Sequence, residues 1–548
     1  MAKAQELMEQ NPELSKAVTE LEEQTLEEQV LAKLKEIEAI LTKLDGESIE
    51  LSVFLDQIQS FSDEKKAEIQ TLVDKLDNPL GKKTKTFSTL GDGFRVIDGQ
   101  AYQEVWMKDG RITKYGGLYI RGYQIPVAML GGSSTSSGDF LRQPFPDDVE
   151  FDMFWGDVTC IYGRPKAGQS NVGDVVGSLD NYIWCYGKSN YGALGLGTTY
   201  DYYQTQKIAF NSRVRKMCVC SIGRADALTN TYVLLENNEL WVAGRNSESC
   251  FGLGNSTQIN TWQKIQSDVL DIYAIWRSAF VVKSDGVYAM GYFEYNASGT
   301  SSIAVNTPTK VFSKIPLRIE FGKFYNGATV FMNSFIWSSY DNKLYGAGRN
   351  DGYQIVSTDK TTKQSFVKVS SSGDEFELAE GDTFKSDGDS TYILKKNGAN
   401  TEFFAGGNGY SGFGDSQGIG ARAISKTHTF EGTGWELMMN QDGYIESDVY
   451  RSFFVVNKAK REIWAFGLND GSGAGGLGVG TASSKERAFR EVLLPENVKN
   501  AEQFEVRPFY CAQSGGIAVI IDGDFYTCGS VRSSCSLKFP CSIPQIQN

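Results

Sequence analysis

The sequence predicts a mainly β fold, seven repeated hairpin units behind an acidic helical leader and a short β-rich segment. Three observations carry that expectation. Apolar or aromatic runs end on a small residue and glycine seven times, at Gly187, Gly244, Gly291, Gly348, Gly407, Gly467 and Gly529. Subtraction of successive positions gives 57, 47, 57, 59, 60 and 62 residues, and a period of this size marks a repeat architecture. Before each glycine, two apolar runs flank a turn, as in TYVLLENNELWVAG, AFVVKSDGVYAMG and RSFFVVNKAKREIWAFG. That is the signature of a hairpin with turn residues that tolerate positive φ. Finally, there is no glycine from Ala2 to Leu44, and a leucine-rich stripe runs through that stretch.

Residues 1–80 are read as an acidic helical attachment segment. Val30, Leu34, Ile37, Leu41 and Leu44 step by four and three residues, the spacing of a coiled-coil seam. Leu at a with Ile or Val at d leans toward three or four strands, so a homo-oligomer, with a trimer favoured, is expected through these five positions. The other reading is a helical hairpin packed within one chain. A second helix is expected from Ser62, with Asn78-Pro79 as its stop. Residues 81–155 are read as a β-rich collar and linker, because FRVI, QEVWM and GLYIRGYQI alternate with Asp-Gly turns and GGSSTSSGDF comes after them.

Residues 156–548 hold the repeats. One hairpin cannot bury both of its faces, whereas units stacked side by side can, and a closed ring leaves no terminal unit exposed. Each unit is long enough for four strands and one long loop. A ring of seven such blades is the expected fold.

Within these units, LWVAGRNSESCFGLGNSTQINTWQKI and IWCYGKSNYGALGLGTTYDYYQTQKI resemble the regulator-of-chromosome-condensation repeat. Its pattern is an aromatic, a small residue, glycine, x-Asn, then Gly-x-Leu-Gly-x-Gly and an apolar strand. Residues 184–197 and 241–254 match best, 464–480 carries a glycine-rich insertion, and the remaining units keep mainly the hairpin. The resemblance covers roughly residues 160 to 548 and implies a seven-bladed β-propeller. It implies little about function, because this propeller serves unrelated tasks.

Charge is uneven. The chain has 54 Lys and Arg against 67 Asp and Glu. Residues 1–80 hold 8 against 19, leaving 46 against 48 elsewhere. A near-neutral repeat region argues against nucleic acid as partner. MAKAQELMEQNPEL lacks the apolar core of a secretion signal, and no apolar run has the length of a membrane span. The nine cysteines include no C-x-x-C pair, so free structural thiols are expected, with synthesis in the cytoplasm.

Sites of chemistry are sparse. GRPKAGQS has phosphate-loop spacing, but Gln169 stands where the lysine would reach the phosphates. GSGAGGLG, residues 471–478, lacks a surrounding βαβ unit. His428 is the single histidine, which excludes a two-His metal site within one chain. Asp387 and Asp389 in KSDGDS lack calcium-loop spacing. No catalytic, cofactor or metal residue is therefore assigned. Two aromatic loops come after repeat glycines, and Tyr200, Tyr202, Tyr203, Tyr292, Phe293 and Tyr295 are candidate ligand contacts. Their alternative role is packing of outer strands.

These features lead to the expectation of a non-enzymatic virion fibre or receptor-binding protein of a tailed bacteriophage. It would be made in the host cytoplasm and docked to a baseplate or tail protein through its N-terminus. Its propellers would meet a host surface glycan or protein with the avidity of several copies. The alternative is a regulatory interaction propeller, a nucleotide-exchange-type adaptor for a small GTPase. A polysaccharide depolymerase ranks third.

Overall fold

A computed structural model describes strands at 102–105, 117–125 and 135–142 and the chain from 144 to 542, apart from short gaps. The longest gaps are 222–228, 440–451 and 470–476. By internal contacts the chain divides into two units, Met1–Thr84 with Val105–Ile112, and Lys85–Glu104 with Thr113–Asn548. The leader, with Val30, Leu34, Ile37, Leu41 and Leu44, lies outside the described residues, so the described sheets belong almost wholly to the second unit. Among the described residues no helix is long and apolar enough to cross a membrane.

Three strands, Tyr102–Val105, Gly117–Ile125 and Thr135–Arg142, pair in that order within the expected collar. Seven four-stranded sheets come next, each a meander in chain order. The first is Phe151–Gly156, Cys160–Pro165, Tyr182–Gly187 and Tyr202–Ala209; the second is Val214–Ser221, Thr229–Leu235, Leu240–Gly244 and Ile259–Gln266. The third is Asp271–Ile275, Ser278–Lys283, Gly286–Tyr292 and Ala304–Phe312; the fourth is Pro316–Tyr325, Val330–Ser338, Leu344–Gly348 and Lys363–Lys368. The fifth is Thr383–Ser386, Ser390–Asn397, Asn400–Gly407 and Arg422–Glu431; the sixth is Trp435–Met439, Ser452–Asn457, Glu462–Leu468 and Lys485–Glu491. The seventh is Phe504–Cys511, Ser514–Ile521, Asp524–Val531 and Cys535–Ser542. The first sheet thus opens at Phe151, a few residues before the boundary expected at 155, because FDMFWG pairs with CIYGRP.

Each repeat glycine lies at or near the end of the third strand of its sheet. Gly244 shows why a side chain is excluded. Its φ is +109°, and an added Cβ would come within 2.4 Å of the Thr229 carbonyl oxygen. The next amide returns to that oxygen, Arg245 N to Thr229 O at 3.0 Å, and Arg349 repeats the bond to Met332 O at 3.0 Å. In all seven sheets the register between third and fourth strands slips just before the glycine. The extra residues lie on the fourth strand, and a bulge bends the strand that carries it, here the one returning from the long loop.

Apolar residues alternate through the middle strands and pack consecutive sheets face to face. Tyr162, Ile183 and Leu194 of the first sheet meet Met217, Val219 and Val233 of the second. Val242 and Phe251 of the second meet Ile272 and Val281 of the third. Further on, Tyr392 of the fifth sheet lies 4.2 Å from Phe453 of the sixth, between ring centroids, and Phe453 stacks on Phe466 at 4.9 Å. Burying such rings dominates the energetics of each seam. From the first sheet to the sixth, first strands of consecutive sheets also touch one another, so they lie along the inner edge of the stack. This is the blade arrangement of a β-propeller. Most side chains of the seventh sheet, which would meet the first, lie outside the described residues.

Ion pairs reinforce the axis. Lys216 of the second sheet bonds Asp271 of the third at 2.8 Å. Lys385 of the fifth bonds Glu320 of the fourth at 2.8 Å. Burial pushes the Glu320 carboxyl up, but Lys385 and Arg318 outweigh it and hold the group below its usual range.

Candidate functional site

In each meander the turn between strands one and two and the loop between strands three and four leave the same end of the sheet. The aromatic loops singled out in the sequence lie at this end, called here the loop face.

The second residue after the glycine fixes the long loop in several sheets. Asn246 Oδ1 accepts the Phe251 amide at 2.9 Å, and its Nδ2 donates to Asn255 O at 2.9 Å. Asn350 Oδ1 accepts the Ile355 and Val356 amides at 2.7 and 3.1 Å, and Nδ2 donates to Asp359 O at 2.7 Å. Asn469 Oδ1 takes the Leu477 amide at 3.0 Å. Asparagine suits this position because its amide offers an acceptor and two donors on a short stem. The Asn of the sequence pattern is therefore an internal pin for the loop.

With the base of the loop fixed, the fourth residue after the glycine sits in the left-handed region in three consecutive sheets. Tyr191, Glu248 and Tyr295 have φ of 61°, 56° and 56°. Large side chains seldom occupy this region, and such strain gathers at functional surfaces. Cations lie beside these residues. The Arg245 guanidinium lies 5.8 Å from the Tyr191 ring centroid. Arg277 pairs with Glu248 at 2.9 Å and Glu294 at 3.7 Å, and covers the Tyr292 ring at 4.6 Å. Burial raises the Glu294 carboxyl despite Arg277. At Glu248 burial also pushes upward, but hydrogen bonding and Arg277 more than reverse it. The Tyr295 phenol is raised, first by burial, and it feels Arg349 and Asp351.

The arc ends in a buried charged cluster at the fifth sheet. Asp387 and Asp389 are 1% and 0% exposed. Asp389 Oδ1 accepts from Arg349 Nη1 at 3.2 Å and Asn408 Nδ2 at 3.1 Å. Its Oδ2 accepts from the Tyr410 amide at 3.2 Å and Ser390 Oγ at 3.4 Å. Asp387 accepts from the Asp389 and Ser390 amides at 3.0 and 2.7 Å, from Ser411 Oγ at 2.9 Å and from the Tyr392 hydroxyl at 3.3 Å. Burial and then the Asp387 charge push Asp389 up to about 6, against Arg349, Asn408 and the Tyr410 amide. Lys485 of the sixth sheet donates to Tyr410 O at 2.6 Å. Burial and then Arg487 pull it down to about 8.

Equivalent positions carry opposite charges. Arg277 and Asp389 each precede the second strand of their sheets. Arg277 meets Glu248 on the preceding sheet's loop, and Asp389 meets Arg349 on the preceding sheet's loop.

The candidate residues divide between this face and the core. Tyr200 is 76% exposed. Tyr203 donates to Asp201 at 3.4 Å. Tyr292 lies under Arg277, and Tyr295 belongs to the arc. Tyr202 packs against the seam of the first two sheets, its hydroxyl 2.9 Å from Thr198 Oγ1. Phe293 is a correction: it is fully buried, 5.1 Å from Phe280 between centroids, because it continues the alternation that turns Val287 and Ala289 to the same buried face. Sequence reasoning misses Arg245, Arg277, Glu248, Arg349, Asp389 and Lys485 as site residues. The Gly-Arg-Asn triplets at Gly244 and Gly348 are the available signal for two of them.

The rejected motifs are structural where they are described. Gln169 accepts the Glu150 amide at 2.9 Å and donates to Glu150 O at 2.6 Å, pinning a loop of the first sheet. His428 packs on Phe430 and Phe489 at 4.5 and 5.0 Å between centroids, and burial lowers its pKa. Among the described residues no group of three or more His, Cys, Asp or Glu could hold a metal.

No family model and no curated protein matches the chain. Among solved structures, human WBSCR16 is similar at a TM-score of 0.46 and 14% identity, over 73% of this chain and 95% of that one. Yeast RCC1 (Prp20) bound to Kap60 gives 0.44 and 14%, over 73% and 88%. Prp20p from Saccharomyces cerevisiae gives 0.43 and 14%, over 73% and 91%. The architecture assigned to this chain rests on its own seven sheets.

Proposed function

We propose that this chain is a non-enzymatic, regulatory interaction propeller whose loop face docks a protein partner. The seven sheets close into one ring in this reading. The supporting observation is the arc from Tyr191 through Arg245, Glu248, Arg277 and Tyr295 to Arg349. It brings tyrosine, arginine and acid together on strained, internally pinned loops. Tyr and Arg dominate the binding energy of protein interfaces, and pinned loops lose little entropy on docking. Exchange of nucleotide on a small GTPase is the narrower form of this proposal. The virion-fibre expectation depends on the leader, and no observation on the described residues favours it over the regulatory reading.

Capture from a cell lysate tests the face. The immobilised full chain is compared with a Tyr191→Ala, Tyr200→Ala, Arg245→Ala variant and with a Leu317→Ala, Tyr340→Ala variant at the opposite end. Loss of these three side chains weakens binding roughly thirtyfold or more. A protein retained by wild type and by the opposite-end variant, and lost with the loop-face variant, supports the assignment. Retention by the loop-face variant, or loss with the opposite-end variant alone, overturns it. Release of a labelled guanine nucleotide from a captured GTPase then decides the narrower form.

A further inference from the structure

In an Asn-Gly dipeptide the chain can attack itself, because asparagine carries a labile amide and glycine puts no Cβ in the way of its own nitrogen. The sequence holds this dipeptide at 326–327, 397–398 and 408–409. The first lies outside the described residues. The other two flank the third strand of the fifth sheet, Asn400–Gly407, one at each end, and their settings are opposite.

Asn408-Gly409 is tied at the atoms the reaction needs. The Gly409 amide, the would-be nucleophile, donates to Ser390 Oγ at 2.9 Å. The Asn408 side chain donates to Asp389 Oδ1 at 3.1 Å, and its backbone amide to Asp389 O at 3.1 Å. Gly409 is buried, and a Cβ there would meet the Phe413 ring at 2.3 Å.

Asn397-Gly398 forms a hairpin tip at the end opposite the loop face. Asn397 pairs with Asn400 across a two-residue turn. Gly398 has φ +60° and nothing within 4 Å of where a Cβ would stand, which suits a hairpin with glycine at its first central position. Residues 396–400 are exposed. The first strand covers the second only as far as Leu394, and the Lys396 amide makes a further tether, to Asp382 Oδ1 at 2.8 Å. Among the described residues no hydrogen bond holds the Gly398 amide. The Asn397 side chain reaches Glu402, whose Oε1 already takes Lys426 at 2.9 Å. Attack requires the Asn397 peptide to turn, so the rung to Asn400 must open, and exposed strand ends open most readily.

We propose that Asn397 is a site of spontaneous covalent modification, converting to aspartate and isoaspartate as the chain ages, while Asn408 keeps its amide. Base takes the Gly398 amide proton, and the nitrogen attacks Asn397 Cγ to close a succinimide ring. The bond from Cγ to Nδ2 breaks, and the nitrogen takes up a proton and leaves as ammonia. Water then adds to either ring carbonyl and reopens the ring, giving one product or the other without any change of oxidation state. Both products set a carboxylate beside Glu402, and isoaspartate lengthens the backbone by a methylene, so the pairing of the tip is weakened. The site is remote from the loop face and does not depend on the docking reading.

The full-length chain, folded or in urea, is held at pH 8 and 37 °C over weeks. It is then digested in mild acid and mapped by mass spectrometry that separates isoaspartate from aspartate. In the folded chain Asn397 should convert about tenfold faster than Asn408, or more. In urea the two should convert at comparable rates, because the difference belongs to the fold. Asn397→Gln, which would need a larger ring, and Gly398→Ala, whose methyl has room, should each suppress conversion at the tip and leave Asn408 unchanged. Retention of the Asn397 amide in the folded chain overturns the proposal. So does conversion of Asn408 as fast as Asn397 in the folded chain, or conversion at the tip that is not slowed in Gly398→Ala.

Discussion

Asn350→Ala tests the claim that the repeated asparagine holds the loop. The side chain is fully buried, and its Oδ1 takes the amides of Ile355 and Val356. Both of those residues are themselves buried. Truncation leaves two buried N–H groups without acceptors, at about 1–3 kcal/mol each. The carbonyls of Asp359 and Val356 also lose a donor. The expected loss is about 4 kcal/mol. Urea unfolding measures it, provided the slope is unchanged and two probes coincide, since a chain of many sheets can unfold in stages. Asn255→Ala is the control: this exposed residue's side chain caps the Thr257 amide, at 3.0 Å, and its loss should cost under about 1 kcal/mol. Asn350→Asp keeps the acceptor and loses the donors, so it should retain part of the stability. A loss below about 1 kcal/mol for Asn350→Ala would show that the loop is held by something else.

Gly244→Ala should destabilise by about 3 kcal/mol or more, because left-handed strain of about 1–2 kcal/mol adds to a clash with backbone. Gly373→Ala, at φ +96° with nothing within 4 Å, should show only the strain; equal costs in thermal melts would refute the role of close approach. Lys385→Met leaves Glu320 buried with Arg318 alone and should cost about 3–5 kcal/mol, while Lys385→Met with Glu320→Gln should recover much of it; a double-mutant cycle without coupling rejects this. For Asp389, the folded pKa of about 6 exceeds the unfolded value of about 4. The folded chain then binds more protons between those values, so stability falls as pH rises through this window, by about 3 kcal/mol in all. Asp389→Asn should flatten that slope in unfolding curves taken from pH 4 to 7, and an unchanged slope refutes it.

The repeat glycines and central hairpins are legible in the sequence because both arise from local chemistry. A backbone at φ near +110° needs glycine, and a half-buried hairpin needs alternating apolar runs around a turn. First and fourth strands are harder to read. DIYAI is short, and RAISKTHTFE carries polar residues on an exposed edge, so neither announces itself by periodicity. Phe293 is misplaced because sequence reasoning treats the aromatic loop as one exposed cluster, although counting by twos from Val287 and Ala289 puts Phe293 on their buried face. Asp389 suggests no more than a failed calcium loop when read with its neighbours in the chain. The cations near it, Arg349 and Lys485, stand 40 and 96 positions away by subtraction of residue numbers. Their meeting depends on which sheets are neighbours, a property of the assembled stack.

The reversed polarity at Arg277 and Asp389 has a consequence for how such a chain can be rearranged. If the third unit were transplanted behind the fourth, Arg277 would lose its acid, because Gly352 stands where Glu248 does, while the arginine after the repeat glycine would remain as Arg349 in place of Arg245. The fifth unit set behind the second would keep an arginine for Asp389, Arg245 in place of Arg349, but would add Glu248 beside it. Like charges so placed repel, and a buried one has little water to screen it. The modules are therefore not interchangeable bricks. Each carries an address readable only by its proper predecessor, which sets the order of assembly against shuffling by duplication or exchange.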